Sequence, residues 1–366
     1  MKASREAVLA YRIAAQGLRR ESTSPQALAI LELGVQNTPP GSARLACAVR
    51  LPSIPSDFAG LRIAWTYRLS PHLHHEADLA GVAGALWPAS EADAASRLNW
   101  PSARLAGTGR TATQVIEQAT DAMLDVLTEP MTKGAASAAV TERIDEPLSM
   151  WCKACQATHI YDSLFRLAAG LAGAWLDTDA NPTLITPTPG WSRPVHEPVK
   201  RAELVRSYLR FLGPARPADV AEFLSVNKVE LAEHWPSDLV EVEVDGTTGF
   251  FPPEDIDALR APPEPPRIRL LPPGDPYLQT RDRTMIVPDA KAQKVLWRIL
   301  GNPGAVLVDG EIVGAWRAKA VGKRRLEFQL EPFDELPPDL DPLLAREAQL
   351  IATARGISDA TVAGIR

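Results

Sequence analysis

The sequence has few cysteines, no long apolar run and no excess of positive charge, and each absence excludes a class of protein. Three cysteines, Cys47, Cys152 and Cys155, occur in 366 residues, which argues against a disulfide framework and for a reducing compartment. No apolar stretch reaches the roughly 18 residues that a membrane helix needs. The first segment mixes charged and apolar residues, so we expect no signal peptide. These features predict a cytoplasmic protein without membrane contact.

Familiar catalytic motifs are also missing. The sequence contains no P-loop, GxGxxG, GxSxG or HExxH, so nothing in it predicts nucleotide binding, a serine hydrolase or a zincin, and we expect no cofactor. Asp and Glu number 45 against 39 Lys and Arg, a net charge of −6, so binding to a polyanion would need local basic patches. Each candidate patch is equally compatible with an ordinary solvated face. One contains Arg317, Lys319, Lys323, Arg324 and Arg325, and the other Lys200, Arg201, Arg206, Arg210 and Arg216.

The length favours two to four compact units, and the 33 prolines fall between periodic segments, as punctuation between short elements. Three times the pattern reads helix, Pro-marked turn, helix, helix and hairpin, which is the winged-helix order. The third copy is the clearest, with an alternating hairpin around Asp245-Gly246. We therefore predict winged helices over residues 1–95, 108–195 and 196–262.

Beyond a proline-rich linker the pattern becomes β. IRLLPP, RTMIVP, GAVLVDGEIVGAWRA and RLEFQLEPF read as strands, with a hairpin at Asp309-Gly310. This predicts a small barrel-like β-domain over 265–335 and a helical tail over 336–366, with a helix from Leu340 to Ala354. The whole is predicted as an α+β fold.

Several separated segments resemble one bacterial family. LGVQNTPPGSARLA, LGPARPADVAEFL, RLLPPGDPYLQTRDR and PGAVLVDGEIVGAWR occur in the order typical of winged-helix DNA-binding proteins that include the AlkZ/YcaQ-type alkylpurine DNA glycosylases. The resemblance covers residues from about 5 to 333 and implies the three winged helices and the β-domain. It also implies double-stranded DNA as partner, possible alkylated purines as substrate, and a monomer associated with the nucleoid.

The resemblance implies a catalytic motif as well. In the family, a Leu-Gly-apolar break precedes Gln, any residue, and Gln or Asp; here Gln36, Asn37 and Thr38 follow Leu33-Gly34-Val35. Gln36 matches, whereas Thr38 replaces the second Gln or Asp. An alkylated purine is already cationic, so the enzyme must mainly position water and stabilise charge on the sugar. The alternative is that Gln36 and Asn37 satisfy backbone groups before Pro39-Pro40.

Three further groups are candidates. His72 and His74, in the first predicted wing, would approach the same site or contact phosphate, or would be solvated, and Arg44 is a DNA-binding candidate. Cys152, Cys155 and His159 have the spacing of zinc ligands, although two half-buried thiols at a helix boundary are the simpler interpretation.

In the β-domain, charged residues are densest near Asp275, Arg281, Asp282 and Arg283. The alternatives are an active carboxylate site and an ion pair of Asp275 with an arginine that fixes the loop, and we expect the ion pair.

Two functions follow. The first is a monofunctional glycosylase for alkylated or bulky-adduct purines, acting in self-resistance or base-excision repair through Gln36, Thr38 and Asn37. The second is a non-enzymatic DNA-binding protein, either a transcriptional regulator or a lesion binder, because winged helices serve both. Three wings in one chain favour repair, since repressors usually dimerise on palindromes.

Overall fold

A computed structural model gives the fold and describes residues 1–55, 57–298 and 300–363. The chain divides into two compact units. The terminal unit comprises Met1–Ala59, Arg206–Arg216 and Ser237–Arg366, and the central unit comprises Gly60–Val205 and Pro217–Pro236. None of the helices in the described part of the chain combines the length and apolar composition of a membrane span.

The α-helices of the described residues are short, and most begin where the sequence offers a cap or a proline. They are α1 Arg5–Ala15, α2 Ser42–Ala48, α3 Leu79–Leu86, α4 Glu91–Leu98, α5 Ser102–Gly107, α6 Ala112–Val126, α7 Lys133–Thr141, α8 Asp162–Leu171, α9 Pro198–Leu212, α10 Pro217–Leu224, α11 Lys228–Glu233, α12 Ile256–Arg260, α13 Arg283–Ile286, α14 Ala290–Leu296 and α15 Asp341–Ala354.

The strands form antiparallel hairpins almost throughout. They are β1 Val35–Gln36, β2 Leu61–Trp65, β3 Pro71–His75, β4 Met131–Thr132, β5 Ser149–Cys152, β6 Ala157–Ile160, β7 Trp175–Asp177, β8 Leu184–Thr186, β9 Val240–Val244, β10 Thr247–Phe251, β11 Ile268–Leu271, β12 Gly304–Val308, β13 Glu311–Val321, β14 Arg325–Pro332 and β15 Asp359–Ala363.

In the central unit the two predicted wings, β2–β3 and β7–β8, belong to one sheet. Its strands within this unit run in the order β3-β2-β7-β8-β4, and β2 joins β7 through the pairs Ile63–Leu176 and Ala64–Trp175. Both predicted hairpins are present, and these pairs join them edge to edge. Helix α6 begins at Ala112 because Thr111 and Gln114 form a capping box in front of it.

The terminal unit is built around α1 and a C-terminal sheet. The sheet has the order β11-β12-β13-β14-β15 and curls into a half-barrel; β14 and β15 are parallel and the other pairs antiparallel. Leu9 and Ile13 of α1 pack against the sheet, whereas Val8 and Tyr11 pack against the hairpin β9–β10. Helix α15 covers the sheet with Leu344 and other apolar residues.

Most predicted elements of the C-terminal region are present. Hairpins occur at Asp245-Gly246 and Asp309-Gly310, each with both turn residues at positive φ, as a two-residue turn requires. RTMIVP is not a strand, because Arg283–Ile286 is helical. The predicted helical tail holds α15 but also strand β15, and its residues 364–366 lie outside the described residues. The winged-helix boundaries stay predictions.

Candidate functional site

The motif predicted to carry catalysis lies in the terminal unit, between β1 and α2. Gln36 ends β1 and is half-buried, Asn37 is only 4% exposed, and Thr38 is exposed. Burial therefore alternates along this segment, as expected for extended backbone whose successive side chains point to opposite sides. The arrangement leaves Gln36 and Thr38 more accessible than the residue between them.

Asn37 has a structural task. Its side-chain oxygen accepts hydrogen bonds from the backbone N–H groups of Gly41 and Ala43, at 2.8 and 3.2 Å. These amides belong to the start of α2, whose first N–H groups have no partner within the helix. Its oxygen thus satisfies two backbone groups, which is the alternative considered from the sequence. A catalytic role for Asn37 stays a prediction.

Two contacts fix the backbone on either side of Asn37. The Ser42 hydroxyl donates to the carbonyl oxygen of Gln36 at 3.1 Å. On the other side, Gly274 has φ +78°, and a Cβ placed on it would lie 2.4 Å from the carbonyl oxygen of Thr38. No side chain larger than hydrogen fits between this turn and Thr38. The sequence marked the turn as Pro-Pro-Gly-Asp but not its contact with the motif.

Asp275, next to this glycine, forms the predicted ion pair with an arginine. The partner is Arg50, which follows α2, and neither side chain is exposed. Nη1 and Nη2 of Arg50 donate to the two carboxylate oxygens at 2.7 and 2.8 Å. Nη1 also donates to the Ala46 carbonyl oxygen, and Nε donates to that of Gln16. Asp275 also accepts from the Tyr277 amide at 3.0 Å. The pair joins the segment after α2 to the turn that contacts the motif.

His72 and His74 are not on an exposed wing. They belong to β3 in the central unit and are 1% and 0% exposed. The His72 Nδ1 lies 2.9 Å from the carbonyl oxygen of Ser70 and 3.0 Å from the Thr66 hydroxyl. Burial, together with the nearby Arg68, holds the pKa of His72 well below its usual value. The alternative of a solvated loop position is therefore wrong for both histidines, and DNA contact by either one stays a prediction.

The basic patch of the β-domain is exposed. Its five members lie on β13, β14 and the turn between them, and are Arg317, Lys319, Lys323, Arg324 and Arg325. Lys319 pairs across the sheet with Glu327, and the Arg317 side chain donates to the Gly301 carbonyl oxygen at 2.8 Å. We call this surface the basic hairpin. Arg44, at the start of α2, lies with its guanidinium 5.2 Å from the ring centre of Phe58.

The second predicted patch is largely neutralised. Arg201 is buried in an ion pair with Asp93 at 3.0 Å. Arg206 pairs with Asp238 and Glu254, and Arg210 with Glu32. Lys200 contacts Glu203 at 2.9 Å. Because carboxylates already contact these cations, this patch offers less to phosphate than the basic hairpin does.

Cys152, Cys155 and His159 do come together, on the hairpin β5–β6 rather than at a helix boundary. Their potential ligand atoms all lie within 4.8 Å of one another. The third cysteine, Cys47, is fully buried in α2 of the terminal unit.

A cavity of about 570 Å³ in the central unit had no signal in the sequence. Apolar side chains dominate its lining, including Trp65, Leu79, Leu86 and Trp191, with Arg97 and Glu222 among the charged groups. Its volume is within the range of small-molecule pockets, so it can accept an uncharged organic group.

Known proteins resemble this chain in both sequence and fold. A family model described as DNA glycosylase AlkZ-like matches residues 33–354. The interstrand DNA cross-link repair glycosylase of Streptomyces sahachiroi is 30% identical over 169 residues, an alignment that spans 42% of this chain and only 43% of that protein. The structure of Streptomyces sahachiroi DNA glycosylase AlkZ superposes with a TM-score of 0.78 at 22% identity, covering 99% of both chains.

At that identity the structural match shows a shared fold. The family model adds more, because its matched region extends from Leu33, in front of the Gln36 motif, to Ala354 at the end of α15. The match thus includes the motif, the whole central unit, most of the terminal unit and the C-terminal sheet up to β14. This protein belongs to the AlkZ-like family of DNA glycosylases.

Proposed function

We propose that this protein is a monofunctional DNA glycosylase that hydrolyses the N-glycosidic bond of alkylated or bulky-adduct purines, in self-resistance or base-excision repair. The observation that carries the proposal is the Gln36 segment, whose accessible side chains alternate with the buried Asn37. Family membership and the cross-link repair described for the Streptomyces sahachiroi relative support the substrate class.

The chemistry requires little from the protein beyond position and charge. An N7- or N3-alkylated purine leaves as a neutral base, and positive charge develops on the sugar as the bond breaks. The side-chain oxygen of Gln36 would accept a hydrogen bond from the attacking water and stabilise that charge. Thr38 would hold the same water with its hydroxyl. The contacts of Ser42 and Gly274 with this segment support a fixed geometry, on which such catalysis depends.

DNA binding follows from the same proposal. We infer that a monomer binds double-stranded DNA, with the basic hairpin contacting phosphates and Arg44 assisting, through an architecture of three winged-helix units. The exposure of all five basic-hairpin residues supports their role despite the net charge of −6. The antiparallel hairpin β9–β10, formed at the predicted Asp245-Gly246 turn, supports a third wing.

The test is an excision assay on duplexes that carry N7-methylguanine or an N7 interstrand cross-link. We expect release of the modified base above the rate of spontaneous depurination, leaving an abasic site without strand cleavage. A matched duplex with unmodified guanine is the control. If the protein binds these duplexes yet releases no base across several alkyl lesions, it is not a glycosylase.

One observation favours the second function in that case. Thr38 is shorter than the family's Gln or Asp and carries no amide or carboxylate oxygen. A protein with the fold but without a second strong acceptor at this position would be a non-enzymatic DNA-binding protein, either a regulator or a lesion binder. Tight binding without excision in the same assay identifies it.

A further inference from the structure

The hairpin β5–β6 has almost no core to hold it. Between Met150 and Thr158 every side chain is exposed or half-exposed, and Trp151 is 60% exposed. Only near Ile160 does the hairpin become buried, where the Ile160 amide donates to the Thr141 hydroxyl at 2.9 Å. A two-stranded hairpin of this kind is marginal in water without additional stabilisation.

The turn of this hairpin brings the two cysteines close together. Within it, the Gln156 side chain donates to the Lys153 carbonyl oxygen at 2.7 Å. Gln156 itself has φ +52°, in the left-handed region that favours glycine. The thiolate is the form of cysteine that binds a metal.

His159 presents the nitrogen that a metal requires. Its Nδ1 lies 2.9 Å from the Ile160 carbonyl oxygen. Because a carbonyl oxygen can only accept, Nδ1 carries the proton in the neutral ring, and Nε2 keeps its lone pair. Metal-binding histidines typically donate their other ring N–H to a carbonyl or carboxylate in this way.

We propose that Cys152, Cys155 and His159 bind one Zn²⁺ ion, with a solvent water as the fourth ligand. The three ligand atoms already lie within 4.8 Å of one another, and small side-chain rotations would bring them to the distances of a tetrahedral site. Two thiolates and an imidazole favour zinc over the hard cations magnesium and calcium. No fourth His, Cys, Asp or Glu joins the group among the residues that the structure describes.

The surrounding charges are compatible with this site. Lys133 and Asp162 form an ion pair with each other at 2.7 Å, so together they add no net charge. With two thiolates, Zn²⁺ makes the site neutral and ties the turn to β6.

The experiment uses the full chain without a histidine tag, purified under reducing conditions. Elemental analysis should find one zinc per chain. Replacement by Co²⁺ should give the visible absorption of a tetrahedral site together with thiolate-to-cobalt charge transfer. Cys155→Ser and His159→Ala should each lower the affinity for Co²⁺ by at least about 100-fold, since even outer-shell partners contribute 10–100-fold. Lys153→Ala, in the same turn, should leave it unchanged.

A second readout is independent of spectroscopy and of glycosylase activity. Amide hydrogen exchange over residues 150–160 should slow when Zn²⁺ is added to the metal-free wild type but not to Cys155→Ser. Two results overturn the proposal. One is a wild-type protein that binds neither Zn²⁺ nor Co²⁺ when reduced, whether or not it forms a Cys152–Cys155 disulfide in air. The other is binding that survives in both ligand variants.

Discussion

The carboxylate of Asp275 receives two hydrogen bonds from the Arg50 guanidinium, at 2.7 and 2.8 Å, with both side chains fully buried. Removing one partner leaves the other as an uncompensated buried charge. We expect Arg50→Met to lower the free energy of unfolding by about 3–5 kcal/mol, measured by urea denaturation. The double variant Arg50→Met with Asp275→Leu should lose less free energy of unfolding than the two single variants lose together. Losses that simply add would contradict the pairing.

Gly274 should be intolerant of a side chain because of its contact with Thr38 rather than because of its backbone angle. Gly246 has the same φ of +78°, yet a Cβ there would meet nothing within 4 Å. Both Gly→Ala variants therefore carry the same left-handed strain, roughly 1–2 kcal/mol. Only Gly274→Ala must displace the Thr38 carbonyl, so we expect it to lower excision at least about tenfold, since small misplacements of catalytic groups are costly. Equal rates for the two variants would show that the contact is irrelevant.

Gln36→Ala should lose on the order of 100-fold in excision rate with DNA binding retained, as expected for loss of a group that positions water. Thr38→Gln should preserve or raise the rate because it restores the family pattern. Single-turnover base release and a binding titration on the same duplex separate the two effects. Asn37→Ala is the comparison. The Asn37 side-chain oxygen caps α2, so this variant should also lower thermal stability. A Gln36→Ala protein as fast as wild type would exclude this mechanism.

The basic hairpin should control the salt dependence of DNA binding. Each phosphate contact contributes about 0.9 to the slope of log K against log salt, so replacing Lys323, Arg324 and Arg325 with Ala should reduce it by up to about 2.7. The matched control removes three cations that already contact carboxylates, Lys2, Arg206 and Arg260, with the same change in net charge. If both triple variants change the slope equally, net charge rather than the hairpin is responsible.

Stability should fall as the solution becomes acidic, because His72 is buried as a neutral ring. Burial lowers its pKa in the folded state, whereas the unfolded chain binds a proton near pH 6.5. Below that pH the unfolded state holds more protons, so the free energy of unfolding should decline by up to about 1.4 kcal/mol per pH unit for this group. In His72→Gln, the free energy of unfolding should change less between pH 7 and pH 5 than in the wild type, as measured by urea denaturation. His75→Gln, at a half-buried position, should retain the full slope.

Local chemistry made much of the fold predictable. The turns at Asp245-Gly246 and Asp309-Gly310 and the cap at Thr111 depend only on neighbouring residues, and each is present. The pairing of Ile63 with Leu176 is different, because it joins residues more than a hundred positions apart and no local pattern encodes it. RTMIVP misled because a short apolar run does not distinguish strand from helix.

The candidate site was predictable in part for the same reason. The motif resemblance pointed to Gln36, Asn37 and Thr38 as catalytic, and of these three only Asn37 is buried. The residues that hold the motif in place, Arg50, Asp275 and Gly274, were not predicted to do so. Their contacts join distant parts of the chain, which no local pattern encodes. His72 and His74 were misplaced because a strand covered on both faces gives no alternation by which to recognise its buried side.

The Arg50–Asp275 pair joins residues 225 positions apart, which has a consequence for biosynthesis. A ribosome delivers the chain from its N-terminus, so the Gln36 segment emerges long before the turn that will hold it. The central unit, by contrast, is complete once Pro236 has been made. We therefore expect nascent chains arrested before residue 275 to contain a protease-resistant central unit while the Gln36 segment remains cleavable. Newly made protein would become competent for catalysis only after the turn at Gly274 and Asp275 has been made.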